Sequence, residues 1–167
     1  MAGTNPIPSG MHTLTPNLVL RDCAKAIDFY KKALGAEEKM RMPAPDGKTI
    51  WHAELRIGDS MFFANDEMPG MGRAAPSAES PSPVSMWLYV PDCDAAFQRA
   101  IAAGAKPMMK PADMFWGDRV GGVTDPFGYV WSFATHVRDM TTEEMRRGGE
   151  EFAKQMQRGP GQPAGSP

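Results

Sequence analysis

Cysteine and histidine are scarce in this 167-residue chain, which has two Cys and three His. Two thiols cannot make a disulfide-stapled scaffold or a zinc ribbon, and three imidazoles leave little ligand stock for a metal centre. An excess of positive charge is also missing: 18 Lys and Arg face 20 Asp and Glu, for a net charge of −2. Binding nucleic acid needs a basic excess to neutralise phosphates, so that class is set aside. No apolar run approaches the roughly 20 residues of a membrane helix. The first ten residues have neither the basic start nor the apolar stretch of a secretory signal. A cytoplasmic protein with reduced thiols is expected, with no nucleic acid and no membrane among its partners.

Apolar residues make up 42% of the chain. That is enough for a core, and the length suits one domain or two very small ones packed together. Methionine, glycine and proline are plentiful, at 14, 17 and 16 residues. Much of the Gly and Pro lies in three places: a flexible N-terminus at 1–11, a Pro/Gly/Ser-rich linker at 67–83, and a tail at 159–167. The tail has too few apolar residues to bury anything and is expected to be disordered.

Between these segments the chain repeats itself. Ile57-Gly58-Asp59-Ser60-Met61-Phe62-Phe63-Ala64 aligns with Phe127-Gly128-Tyr129-Val130-Trp131-Ser132-Phe133-Ala134 at an offset of 70, and Asp22-Cys23 falls on Asp92-Cys93 at the same offset. Asp22 and Asp92 suit helix N-caps, because a carboxylate accepts from the free backbone donors of a first turn. Behind Asp22, Ala26, Ile27, Phe29, Tyr30, Ala33 and Leu34 recur at helical spacing, and Gly35 supplies a stop. Short β-rich runs precede and follow each helix: 14–20, 37–42, 49–57 and 60–65, then 84–90, 107–111, 119–124 and 129–135. This gives a βαβββ module at 12–66 and a second at 84–137. Thr141 with Glu144 is a capping box opening a C-terminal helix within 138–158, weakened by Gly148-Gly149.

The local motifs carry a resemblance. Arg21-Asp22, Ala26-Ile27-Asp28-Phe29-Tyr30 and Leu34-Gly35 look like the first helix of the vicinal oxygen chelate superfamily. Phe115-Trp116-Gly117-Asp118-Arg119, Asp125-Pro126-Phe127-Gly128 and Trp131 look like its closing strands, above all in bleomycin-resistance and PhnB-like members. The resemblance implies an α+β fold in which tandem βαβββ modules form a cup-shaped mixed sheet with helices on the convex side. It also implies a small molecule in the cup and a homodimer. Metal-dependent members place His or Glu at four inward strand positions. Here those positions fall on Asn17, Phe62, Trp87 and Ser132, with Ser85 or Met86 replacing Trp87 if the register slips. None of these supplies the carboxylate, imidazole or thiolate of a divalent site, so no metal and no cofactor are expected.

With the metal set aside, the candidate ligand-binding residues are Asn17, Phe62, Trp87, Trp116, Arg119 and Ser132. The aromatic rings would stack on a planar ligand, and Arg119 would pair with a carboxylate or phosphonate. By strand parity, Phe63 and Phe133 belong to the core while Phe62 faces the cup. His52 and Glu54, two apart on one strand face, are the candidates for chemistry, as an acid/base pair or as atypical ligands of a divalent metal. The alternative for that pair is an exposed face with an ion pair. His12 and His136 read as surface residues, and Cys23 and Cys93 as buried structural thiols. The leading expectation is therefore a metal-free binder of a small aromatic or amphipathic molecule. A lyase, isomerase or dioxygenase using His52 and Glu54 is the competing reading, and docking of a partner through the C-terminal helix is a third.

Overall fold

The computed structural model describes residues 4–77 and 80–158. The expected tail and the first three residues of the expected flexible N-terminus lie outside them. The first module contains β1 (Asn17–Leu20), α1 (Cys23–Leu34), β2 (Glu37–Pro43), β3 (Ile50–Ile57) and β4 (Ser60–Asp66). The second contains β5 (Ser85–Tyr89), α2 (Cys93–Ala102), β6 (Lys106–Asp113), β7 (Asp118–Thr124) and β8 (Val130–His136), and α3 (Thr142–Arg158) follows. The strands form two four-stranded mixed sheets, β1-β4-β3-β2 and β5-β8-β7-β6, and neither closes into a barrel. This is the tandem βαβββ, α+β architecture.

The helices start and stop as their sequences dictate. The carboxylate of Asp22 accepts from Lys25 N–H and that of Asp92 from Ala95 N–H. Gly35 takes the left-handed conformation that ends α1, at φ 69°. The buried stripe of α1, Ala26, Ile27, Phe29, Tyr30 and Ala33, covers one face of the first sheet and meets α2, where Arg99 Nε donates to Ala33 C=O at 2.9 Å. In α3, Thr141 and Glu144 make the reciprocal pair of a capping box. Gly148 and Gly149 have a packing role there: Phe115 sits against them, and a Cβ on Gly148 would lie 2.6 Å from Phe115 Cβ.

One core serves both modules. Tyr30 lies edge-on to Phe62 and close to Trp131, at ring-centroid distances of 5.9 and 5.4 Å. Its hydroxyl donates to Asp125 at 2.9 Å. The same buried carboxylate accepts from Trp131 Nε1 and from the N–H groups of Phe127 and Tyr129. The Asp125-Pro126-Phe127-Gly128 motif is thus a turn wound around one carboxylate that also holds the first module's helix. Next to it, Tyr129 Oη accepts from Val19 N–H and donates to Val19 C=O, which occupies the free edge of β1.

Candidate functional site

The offset between the two modules is 70 residues at the helix caps and 69 at the last strand. Asp66 accepts from Cys23 N–H at the start of α1, and Thr135 Oγ1 accepts from Cys93 N–H at the start of α2. Those two acceptors are 69 residues apart, whereas the caps Asp22 and Asp92 are 70 apart. The strand pairings agree, with Leu18 opposite Ala64 and Leu88 opposite Phe133. A slip of one residue turns every side chain to the other face. Phe62 therefore corresponds to Trp131, and both pack into the shared core, 6.2 Å apart. This corrects the parity expected from sequence: Phe62 is 6% exposed and Phe63 is the residue on the open face, edge-on to His52. Phe133 is fully buried, as its own parity requires.

A cavity of about 260 Å³ lies at the seam between the modules. Pro16, Leu18, Met61 and Phe62 line it from the first module, and Met86, Trp87, Leu88 and Trp131 from the second. His12, Leu14, Ile57 and Ser60 complete the lining, so polar groups are few. Of the six predicted ligand-binding residues, Phe62 and Trp87 meet here. Asn17 and Ser132 do not; they stand opposite Phe63 and Trp87 in the strand register, Asn17 exposed and Ser132 buried.

Trp116 and Arg119 are placed elsewhere by their own motif. The guanidinium of Arg119 binds Asp94 at the start of α2 and Asp113 on β6, so it serves the helix-covered side of the sheet. Trp116 Nε1 donates to Asp118 at 3.1 Å. Asp118, 4% exposed, also accepts from Tyr89 Oη at 3.2 Å and from His136 Nδ1 at 2.8 Å. Between Trp116 and Asp118, Gly117 has φ 97°, and a Cβ there would fall 2.0 Å from Arg138 C=O. Only glycine fits that approach.

A family model for the Glyoxalase/Bleomycin resistance protein/Dioxygenase superfamily matches residues 11–133. The chain belongs to this superfamily. It is 46% identical over 136 residues to an uncharacterized Mycobacterium bovis protein, Mb0911c, covering 80% of this chain and 89% of that one. Among solved structures it resembles TioX from Micromonospora, with 26% identity and a TM-score of 0.58, covering 75% of this chain and 99% of that one. The Arabidopsis thaliana At5g48480 product has 28% identity and a TM-score of 0.61, with 74% and 98% covered.

The metal pattern of the glyoxalase superfamily does not fit these residues. With the slip included, the four inward positions are Asn17, Phe63, Trp87 and Ser132. An amide, a hydroxyl and two aromatic rings are not the donor set of a divalent ion. His52 Nε2 lies 3.6 Å from Glu54 Oε1 on the open face of β3, which is a two-donor fragment. Among the described residues no three His, Cys, Asp or Glu side chains gather as a metal site. Sequence reasoning missed Trp131 in the seam and placed Met86 inward only for a slipped register. A βαβββ chain with aromatic residues at equivalent positions in its last strands carries that signal only once the one-residue slip is known. It also missed the Asp118–His136 pair, whose partners are 18 residues apart in sequence.

Proposed function

We propose that this superfamily member is a metal-free small-molecule-binding protein that holds a compact aromatic or amphipathic ligand in the seam cavity. The observation that carries the reading is the lining: Trp87 offers a half-exposed ring, the buried Phe62 and Trp131 form an apolar wall, and Met61 and Met86 offer adaptable thioethers. At about 260 Å³ the cavity is near the small end of ligand sites, which suits a one- or two-ring molecule. Sequestration of a toxic compound in the cytoplasm is the most concrete form of this function. A homodimer belongs to the same reading, because Trp87, Tyr89, Met40, Met42 and Met108 leave large apolar side chains exposed on the sheet faces.

A thermal-shift screen over small aromatic compounds, phosphonates and divalent metals tests it, since a ligand of the native state raises the melting temperature. Aromatic hits that vanish in Met61→Trp, which fills the cavity, support the seam site. Hits confined to metals and lost in His52→Ala would replace this reading with the enzymatic one. In that second reading the 3.6 Å approach of His52 to Glu54 supplies the acid/base pair.

A further inference from the structure

The chain ahead of β1 is held almost entirely by its own contacts. Met11 N–H donates to Pro8 C=O at 3.0 Å across a turn in which Gly10 has φ 83°. Thr15 Oγ1 donates to His12 C=O at 3.1 Å. Among the described residues, 4–15 make no hydrogen bond or ion pair to the rest of the chain. The first tie comes at Pro16, whose C=O accepts from Phe63 N–H at 2.8 Å. A space of about 320 Å³ separates Ser9, Gly10 and Met11 from Lys39, Glu54 and Arg56 of the first sheet. Further along, His12 and Leu14 border the seam cavity, and Met61 borders both spaces. Leu14 is thus part of an apolar lining and yet 84% exposed. A leucine left in water beside apolar walls has burial still to gain.

We infer that residues 9–15 form a strap that closes over the seam cavity when a ligand fills it, with Leu14 as the side chain that covers the ligand. The inference rests on the seam being the binding site. Leu14 has apolar partners only at the cavity rim, and a bound ring supplies the rest. Closure breaks few contacts, because the Pro8–Met11 and His12–Thr15 bonds lie within the strap and travel with it. The backbone change is confined to the residues next to Pro16, as in other loops that close on a hinge. Motion stops there, since Asn17 already pairs in register with Phe63 of β4. The space under Ser9 to Met11 lets the strap settle toward the sheet beside Met61 without displacing a packed side chain. An apolar cover selects ligands whose outer face is apolar too, and it slows their escape more than their entry.

Stopped-flow fluorescence of the full chain with 1-naphthol, a compact two-ring probe, tests this alongside hydrogen exchange. Exchange at the amides of 9–15 should slow when the probe is bound. Leu14→Ser should speed dissociation by about tenfold to a hundredfold, the fold-change that corresponds to burying one leucine side chain. Its association rate and the melting temperature of the free protein should match wild type, because Leu14 is exposed there. Leu14→Met should restore slow dissociation. If Met61→Trp abolishes binding while Leu14→Ser dissociates as wild type does, the seam holds the probe and the strap does not close, which overturns the inference. Equal binding to Met61→Trp, or no binding to wild type, removes the seam reading and the strap inference with it.

Discussion

The hydroxyl of Tyr30 in the first module donates to the carboxylate of Asp125 in the second, 95 residues away, with both groups buried. Burial pushes the Asp125 carboxyl up, against the lowering effect of its four donors, so each donor matters to the cost of keeping it inside. Tyr30→Phe removes one donor without opening a large void. The expected loss is about 1.5–3 kcal/mol, the range for a hydrogen bond to a charged group. For a chain of this size that is roughly 3–12 °C in melting temperature. An unchanged melting temperature would show that the bond does not tie the modules together.

Tyr129 performs a second cross-module task through Val19. Its hydroxyl occupies both backbone groups of Val19 that point away from β4, at 2.9 and 3.0 Å. Tyr129→Phe keeps the ring and frees that edge. Stability should fall by about 1–3 kcal/mol, and the exposed strand should become a template for self-pairing. Hydrogen exchange at the Val19 amide is the direct readout, with faster exchange expected in the variant. Light scattering on heating should rise earlier than in wild type.

Much of this fold was legible because its signals are local. Asp22, Asp92 and Gly35 announce helix ends through groups they satisfy themselves, and the alternating run around Ala53 and Leu55 announces a half-buried strand. The faces of β4 and β8 were not legible to the same degree. Their aligned sequences hide a difference in the preceding turn, two residues between Ile57 and Ser60 against five between Thr124 and Val130. Parity copied across that difference sends Phe62 to the wrong side. The Asp118 cluster was hidden for another reason. Tyr89, Trp116 and His136 converge only after three strands and a turn are assembled, and no spacing rule links them. Arg119 shows the same limit, since its two carboxylate partners come from α2 and β6.

The two thiols should be inert in the native protein. Cys23 and Cys93 begin their helices, where a dipole favours thiolate, yet both are buried. Burial pushes the Cys23 thiol up to about 12, with the nearby Asp66 carboxylate adding to the effect, and burial raises Cys93 as well. Alkylation by iodoacetamide at neutral pH should therefore track global unfolding in a denaturant series, read by mass spectrometry. Rapid labelling of either thiol in the absence of denaturant would contradict this burial.

The contribution of His136 to stability should depend on pH in one direction. Hydrogen bonding to Asp118, then to Asp139, raises its pKa above 6.5, so the folded state holds the proton more tightly than the unfolded chain. The stabilisation is complete below the unfolded value and is lost as pH rises through the folded one. Melting curves of wild type and His136→Gln should lie furthest apart in mild acid and converge above neutral pH. A gap that widens with rising pH would mean that the imidazole is held in its neutral form instead.

The glycine pair of α3 gives opposite expectations for two neighbouring substitutions. Helix propensity alone favours alanine at either position by about 1 kcal/mol. At Gly149 the nearest atom to a new Cβ is Phe115 Cε2 at 3.5 Å, an ordinary contact. Gly149→Ala should therefore stabilise the protein by up to about 1 kcal/mol. At Gly148 the new Cβ would meet Phe115 Cβ at 2.6 Å, close to the backbone, where the side chain cannot swing aside. Gly148→Ala should push Phe115 out of its seat and cost about 1–3 kcal/mol, as overpacking does. Phe152, whose ring lies 5.8 Å from that of Phe115, should lose its contact with it. Melting temperatures give the two signs, and hydrogen exchange along α3 reports whether the helix has come away from Phe115. Equal stabilisation by both substitutions would mean that Phe115 does not anchor the helix.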